Sequence, residues 1–264
     1  MPNSLNVRKG KRSDRLGIVI NSISEVLADQ VAVISGGTRG IGFAAARQLG
    51  QLGATVVLVG QNPITMEAAI NQLLGEGIDV TGICADVAQS NEVQAFVGGN
   101  SIAAQADILI NSAGVMSEKM SKTLRTTAEE WQRVMSINLD GTFNMISAIG
   151  PNMASRRSGR IINVSACLGR FSGPGLSGGL APYRVSKAAV NALTRNLAAE
   201  LGDGTRGVLV DAMCPNHTRT DMGGPDAPRS PEEAADTITW LATREYETGI
   251  ETGFLWEDRN IIPW

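Results

Sequence analysis

The passage from Val31 to Gly42 constrains this chain more than any other. Val31–Ser35 is a short, β-rich apolar run. It enters Gly36-Gly37-Thr38-Arg39-Gly40-Ile41-Gly42, and a helical pattern over 43–52 follows. A strand that turns through glycines straight into a helix opens a βαβ unit. There Gly36 lets the chain turn sharply, Gly40 lets the backbone approach a pyrophosphate, and Gly42 lets the helix pack close to the strand. The free N–H groups of the helix N-terminus then face the phosphates. The spacing is G-x-x-x-G-x-G, not the commoner G-x-G-x-x-G, and glycines alone often only make turns. The strand before and the helix after favour dinucleotide binding over a plain turn, with Thr38, Arg39 and Ile41 as further candidate contacts.

The rest of the chain repeats this alternation. Strands are predicted at 54–59, 80–84, 108–110, 160–164, 208–213 and 253–256, with helices over 66–74, 91–97, 128–149 and 183–201. Apolar strands separated by helices predict a parallel sheet covered on both faces. The expected fold class is therefore α/β: a single Rossmann-type doubly wound parallel sheet. No internal repeat or low-complexity linker interrupts it. Residues 29–264 form one expected domain, preceded by a leader over 1–28. That leader carries Arg8, Lys9, Lys11, Arg12 and Arg15. It reads as a solvated or vector-derived tail rather than a transit peptide, because 18–20 do not continue an Arg/Ser-rich amphipathic pattern.

Composition narrows the function. A net charge of -3 and 4% aromatic residues give no basis for nucleic acid or an anionic membrane as partner. No apolar run reaches the roughly 18 residues that span a bilayer. The three cysteines, Cys84, Cys167 and Cys214, are widely spaced, and His217 is the single histidine. No metal site is expected, nor a disulfide framework, and a reducing, cytoplasmic setting is the default.

The choice between nicotinamide dinucleotides rests on charge. An acid at the end of the second strand would hold a ribose 2′-hydroxyl and repel a 2′-phosphate. That strand ends Val59-Gly60-Gln61-Asn62, with no acid. Arg39, inside the glycine turn, could pair with a 2′-phosphate. NADP(H) is thus favoured over NAD(H), although Arg39 could equally be a solvated side chain. Further along, Tyr183 and Lys187 stand four apart at the start of a long helix and share a face. A tyrosine with a pKa near 10 is a poor acid at neutral pH, and a nearby ammonium is expected to lower it. The pair suits a general acid/base acting on a substrate oxygen. Without the glycine turn it would read as an ordinary surface helix.

Together these features resemble the short-chain dehydrogenase/reductase family over residues 29–264. The motifs, in order, are Gly36-x-x-x-Gly40-Ile41-Gly42, Asp86-Val87, Asn111-Ser112-Ala113-Gly114, Asn138, Tyr183-x-x-x-Lys187, and Pro215 through Thr220. The closing segment over 252–264 resembles the carbonyl-reductase-like branch. The resemblance implies that Asp86 bonds the adenine amino group, with Val87 alongside, and that Asn111, Ala113 and Gly114 line the adenine ribose. It implies that Asn138 interrupts its helix and holds a water linked to Lys187. Lys187 would also bond the nicotinamide ribose, Tyr183 would be the acid/base, and Pro215 and Thr220 would contact the nicotinamide end. Asn138 could instead be a tolerated polar residue in a helix, and Asn111 a strand-end cap.

Two departures stand out. The family places a serine just after the fifth strand, as the second residue of a Ser-Ser pair, to bond the substrate oxygen. In Ser165-Ala166-Cys167-Leu168-Gly169 that position is Ala166. Ser165 comes one residue too early, and adjacent side chains of an extended chain face opposite ways. An altered loop that lets Ser165 or Ser172 serve, a weakly active member, and a Ser-to-Ala change all remain open. The second departure is Asn216, where the family usually has Gly. Asn tolerates the left-handed region, so the loop is expected to survive, with His217 on its surface rather than in the pocket. Segments 167–182 and 219–229 rim the expected pocket, the latter with the composition of a mobile lid. The small, apolar pocket residues fit a neutral carbonyl compound or alcohol better than a sugar phosphate or an acyl carrier. The expected function is NADPH-linked carbonyl reduction. The alternative is a cofactor-binding regulator or scaffold with reduced catalysis. Both a monomer and a homo-oligomer are compatible with the sequence.

Overall fold

The computed structural model describes residues 26–118, 122–247 and 249–264. Most of the leader, including its basic cluster and the choice between tail and transit peptide, lies outside the described residues. The last leader residues do not: Leu27 is buried in the core, and its N–H donates to the Leu52 carbonyl at 2.8 Å.

The chain runs β1 (Val31–Ser35), α1 (Gly40–Gln51), β2 (Thr55–Gly60), α2 (Pro63–Gly75), β3 (Val80–Cys84), α3 (Ser90–Gly99), α4 (Ser101–Ala104) and β4 (Ile108–Asn111). It continues through α5 (Ala128–Met135), a π-helical turn (Ser136–Asp140), α6 (Gly141–Arg156), β5 (Gly159–Val164), α7 (Ala181–Glu200) and β6 (Val208–Met213). It closes with α8 (Pro231–Thr243), β7 (Leu255–Glu257) and β8 (Asn260–Ile262). The sheet order is β3-β2-β1-β4-β5-β6-β7-β8. All pairs are parallel except β7 with β8, which run antiparallel. The expected α/β doubly wound sheet is thus the observed fold.

Burial on both faces explains why the strands are apolar throughout. Successive strand residues point to opposite faces. Ala32 and Ile34 of β1, Ile108 and Ile110 of β4, and Ile162 of β5 join one core with α1, α2 and α8. Val33, Leu109 and Ile161 join the opposite core with α3, α4, α6 and α7. Order reverses between β1 and β4, which pair directly while the chain crosses from β3 to β4. Ligands of such sheets bind in the crevice at this switch point, beyond the carboxyl ends of the strands.

The structure corrects the sequence reading in four places. The single helix expected over 128–149 is two helices split by the π-turn. The second runs through Pro151 to Arg156. Proline removes one helical hydrogen bond, but buried Met153 and the Arg156 guanidinium, which donates to the Gln105 and Ala106 carbonyls, hold the last turn in place. Helix α8 forms where no helix is expected from the strand–helix pattern, and its start is marked locally: Ser230 caps it, Pro231 is its first residue, and Ser230 and Glu233 bond reciprocally as a capping box. Strand β8 likewise forms where none is expected; positive φ at Asp258 and Arg259 makes the tight hairpin that returns it to β7.

One buried ion pair ties α8 to the sheet. Arg244 bonds Asp211 of β6 at 2.6 Å, with the two side chains 9% and 2% exposed. Trp256 Nε1 donates to the same carboxylate at 2.8 Å. The guanidinium also lies 5.1 and 5.0 Å from the Trp240 and Trp256 ring centroids. Burial pushes the Asp211 carboxyl up and Arg244 opposes it. Removing one partner of such a pair strands a buried charge. Arg244→Leu is expected to cost about 3–5 kcal/mol in denaturant unfolding, and Arg244→Leu with Asp211→Asn distinctly less.

Candidate active site

The glycine turn lies at the carboxyl end of β1. Gly36 and Gly40 have positive φ, 66° and 56°, a region open to glycine at little steric cost. A Cβ on Gly36 would stand 2.8 Å from the Ala113 backbone, and one on Gly42 would stand 2.3 Å from the Gly36 carbonyl oxygen. These contacts let β1, β4 and α1 close on one another. The N-cap of α1 is Arg39, with no side-chain cap and no acid in the first turn. The first N–H groups of α1 and the positive end of its dipole are therefore left for an anion. Thr38 packs beside Gly60 at the end of β2, Thr220 packs against Gly40, and Ile41 packs on the core.

Arg39 itself is ion-paired: its Nη1 lies 2.6 Å from Asp221 Oδ2, with both side chains about three-quarters exposed, at 74% and 76%. A 2′-phosphate would have to share or displace that carboxylate. On the same rim, the Asp86 carboxylate accepts from the Ala88 N–H at 2.9 Å, and the Asp86 N–H donates to Glu92. Buried Val87 accepts at its carbonyl from Asn144, and its side chain packs against Gly141 of α6.

Between β4, β5 and α7 runs a buried polar relay. Asn111 Nδ2 donates to Asn163 Oδ1 at 2.8 Å, and Asn163 Nδ2 donates to Thr194 Oγ1 at 2.9 Å. Asn111 Oδ1 is buried without a hydrogen-bond partner, an exception among buried polar atoms that marks a place for a ligand group or water. Ala113 donates its N–H to Ser35 Oγ at 3.3 Å. With the crowded glycines and the uncapped helix, this atom makes the crevice fit a dinucleotide.

The candidate acid/base residues come from two parts of the helical layer, the π-turn and α7. Asn138 sits in the π-helical turn, fully buried; such turns recur at functional sites. Its side chain pairs with the Val115 backbone in both directions, at 2.8 and 3.0 Å, and donates to Ser186 Oγ at 3.0 Å. Ser186, on the same helix as Tyr183 and Lys187, escaped the sequence reading. Its position three residues after the tyrosine, on one helical face, was the available signal. Lys187 Nζ donates to the Val164 carbonyl at 2.7 Å and lies 5.9 Å from the Tyr183 ring centroid. A Cβ on Gly114 would come within 3.5 Å of both Lys187 Nζ and Asn138 Oδ1. Ser117 Oγ accepts from the Tyr183 N–H at 3.0 Å and anchors the start of α7.

The electrostatics differ from the sequence expectation. Burial pushes the Tyr183 hydroxyl above its ordinary value, and Cys167 and Cys214 add to the rise. Burial also lowers Lys187 to about 8. The ammonium does not bring the tyrosine down here, because desolvation penalises the charged form of both groups. Tyr183 is held as a neutral phenol, the form that gives up a proton.

The structure shows what each serine hydroxyl near Ala166 bonds. Ser165 is buried and its hydroxyl is committed to Asn191 Oδ1 and the Lys187 carbonyl. Ser172 donates to the Trp264 carbonyl. Ala166, by contrast, shares an apolar cluster with Tyr183 and Val134. Past β6, buried Pro215 leads to Asn216 at φ 59°, in the left-handed region, and to exposed His217, whose Nε2 contacts the Gly223 carbonyl at 2.8 Å. The loop over 219–229 is tied to itself: Arg219 N–H donates to the Arg229 carbonyl at 2.7 Å, and its guanidinium reaches the Ala227 and Pro228 carbonyls.

A doubly wound sheet with a glycine turn at its switch point, and a Tyr-Lys-Asn group facing it, defines a nicotinamide-dependent oxidoreductase of the short-chain type. The family model described as short chain dehydrogenase matches residues 30–230, and the chain belongs to that family. It is 34% identical over 231 residues to a 3-oxoacyl-[acyl-carrier-protein] reductase of Synechocystis, covering 82% of this chain and 90% of that protein. It is also 34% identical over 195 residues to mouse dehydrogenase/reductase SDR family member 4, covering 74% and 67%. Among solved structures, a 3-oxoacyl-[acyl-carrier protein] reductase from Brucella melitensis superposes with a TM-score of 0.78 at 28% identity, over 93% of this chain and 96% of that one. A Brucella melitensis reductase with bound NAD gives 0.77 at 27% identity, over 92% and 95%. Among the described residues no helix is long and apolar enough to cross a membrane, and no cluster of three metal-ligating side chains occurs.

Two outcomes follow from this geometry. Gly42→Ala forces a Cβ against the Gly36 carbonyl and is expected to weaken nicotinamide-dinucleotide binding by about 100-fold or more in a fluorescence titration. Lys187 keeps its ammonium only below a pKa of about 8. Turnover that needs the ammonium is expected to be flat below that value and to fall about tenfold per pH unit above it in a kcat/KM profile.

Proposed function

We propose that residues 29–264 act as one NADP(H)-dependent reductase domain that reduces a ketone carbonyl to an alcohol, with 3-oxoacyl thioesters the first substrate class to test. The observation that carries this reading is the burial of Tyr183 and Lys187 together beside Asn138 at the switch-point crevice. Thr38, Arg39, Ile41 and the three glycines would hold the pyrophosphate and adenosine phosphate. Asp86, Val87, Asn111, Ala113 and Gly114 would line the adenosine half, and Lys187, Pro215 and Thr220 the nicotinamide half. When bound, the nicotinamide supplies the hydride.

The protein's own part is a proton and a position. Neutral, buried Tyr183 gives its hydroxyl proton to the substrate oxygen as that oxygen gains negative charge. Lys187, anchored by the Val164 carbonyl, places a positive charge beside it and stabilises the phenolate left behind. Asn138 and Ser186 fix the two helices that carry these groups. Ala166 offers no hydrogen bond, so the tyrosine alone holds the substrate oxygen on that side.

The preference for a 3-oxoacyl substrate comes from the names of the relatives and outweighs the composition-based expectation of a free carbonyl compound. The reacting group, a neutral ketone, is the same in both. The preference for NADP(H) rests on Arg39 and on a β2 end without an acid. A regulator that binds the cofactor without turnover draws support only from Ala166.

NADPH oxidation with a panel of 3-oxoacyl thioesters, ketones and aldehydes tests the reading. Tight NADPH binding with no turnover of any of them would refute it. Tyr183→Phe is expected to lower kcat by about 10²–10⁴-fold with NADPH affinity unchanged. Ala166→Ser is expected to raise kcat/KM by up to about 10²-fold. Arg39→Ala is expected to raise the NADPH KM about tenfold or more and leave the NADH KM unmoved. Asp221→Asn, which frees Arg39, is expected to shift the NADPH KM the other way.

A further inference from the structure

Two of the three cysteines, far apart in sequence, meet at the wall of this site. Cys167 opens a 3₁₀ turn, Cys167–Gly169, one residue after Ala166. Cys214 follows the last residue of β6 and precedes Pro215. The parallel pairing of β5 and β6 runs to Val164 opposite Met213, and the Ser165 N–H donates to the Met213 carbonyl at 2.8 Å. The two segments therefore leave the sheet side by side. Cys167 packs on the small apolar cluster that Cys214 forms with Ala212 and Leu255, which brings the two thiols within interaction range of each other.

The two thiols are unequal. The interaction with Cys214 lowers Cys167, with Arg170 assisting and burial and Glu257 opposing, and the same interaction raises Cys214. Cys167 is only partly buried, whereas Cys214 is buried. This is the division between an attacking thiolate and a resolving thiol. Cys84 is exposed at the end of β3.

We propose that Cys167 and Cys214 form a reversible disulfide that switches the reductase site off under oxidising conditions. The oxidant is hydrogen peroxide. The Cys167 thiolate attacks one peroxide oxygen, the O–O bond breaks, and hydroxide leaves, giving a sulfenic acid. The Cys214 sulfur then attacks the sulfenic sulfur, the S–S bond forms, and water leaves with the Cys214 proton. Two thiols lose two electrons and the peroxide is reduced to two waters. A dithiol reverses the change. Such reversible, sensing disulfides are the kind found in reducing compartments.

The bond must alter the site because of where its ends are fixed. An S–S bond of about 2.05 Å is shorter by about 1 Å or more than a packing contact between the two sulfurs. Cys167 moves with Ala166, which packs on Tyr183, and Cys214 moves with Pro215 on the nicotinamide side. A misplacement of about 1 Å can lower a rate by about 10²-fold. The effect on turnover rests on the reductase reading above; the bond itself does not.

The test treats the full chain with hydrogen peroxide, alkylates the remaining thiols and maps non-reduced peptides by mass spectrometry. Kinetics and NADPH affinity are measured before and after. The expected result is a Cys167–Cys214 cross-linked peptide with one alkylatable thiol left, Cys84, and a fall in kcat/KM of about tenfold or more that dithiothreitol reverses. Cys84→Ser is expected to respond like the parent. Cys214→Ala is expected to stop at a Cys167 sulfenic acid that dimedone traps. Three alkylatable thiols after treatment, or oxidation confined to Cys84, would overturn the proposal, as would a cross-link that leaves both kcat/KM and NADPH affinity unchanged. Absence of turnover before oxidation would instead refute the reductase reading, while the cross-link and the NADPH affinity still decide whether the switch exists.

Discussion

The direct pairing of β1 with β4 is the constraint on which the rest of this structure depends. Four residues of each strand lie in register, from Ala32 opposite Ile108 to Ser35 opposite Asn111. The chain can reach β4 only after laying β2 and β3 on the other side of β1, so the loops beyond β1 and β4 diverge and leave a crevice. Gly36 and Ala113 touch across that crevice and Gly42 touches Gly36. A side chain at either glycine would push the two strand ends apart. The same pairing places Asn111 where it reaches Asn163 of β5, which carries the polar relay to Thr194 of α7. The helix bearing Tyr183 and Lys187 is thus tied through the sheet to the strands that form the dinucleotide crevice.

Burial sets the charge state of Tyr183 and Lys187. Tyr183 and Lys187 are both buried, and an interior position disfavours phenolate and ammonium alike. A neutral tyrosine beside a lysine poised near 8 is suited to giving a proton to an oxygen that is becoming an anion. The π-turn at Asn138 serves the same group. By widening one turn between α5 and α6 it presents the Asn138 amide to the Val115 backbone and to Ser186, so the loop after β4 and the face of α7 share one anchor.

Position 166 is an alanine that offers no hydroxyl beside Tyr183, and the nearby serine hydroxyls are bonded elsewhere. Ser165 faces the back of α7 and Ser172 bonds the Trp264 backbone. What surrounds Tyr183 on that side is an apolar cluster, with the cysteine pair behind it. The loop over 219–229 is tied to itself by the Arg219 N–H and guanidinium, which reach the Arg229, Ala227 and Pro228 carbonyls.

The sequence by itself determined the alternation of strands and helices, the glycine turn, and the Tyr183–Lys187 spacing. These are local: apolar runs, positive-φ glycines and helical periodicity act over a few residues. It left the role of Ser165 open, and the structure commits that hydroxyl to Asn191 and the Lys187 carbonyl. Helix α8 was equally legible in Ser230, Pro231 and Glu233, whose cap, first-turn proline and capping box are all local. Tertiary structure alone decided what depends on distant partners. It carried α6 through Pro151 by tying Arg156 to the Gln105 and Ala106 carbonyls. It paired Arg39 with Asp221 across 182 positions, raised Tyr183 where a neighbouring ammonium had been expected to lower it, and brought Cys167 against Cys214. Desolvation and long-range contact arise only when the chain has closed on itself, and no local pattern encodes them.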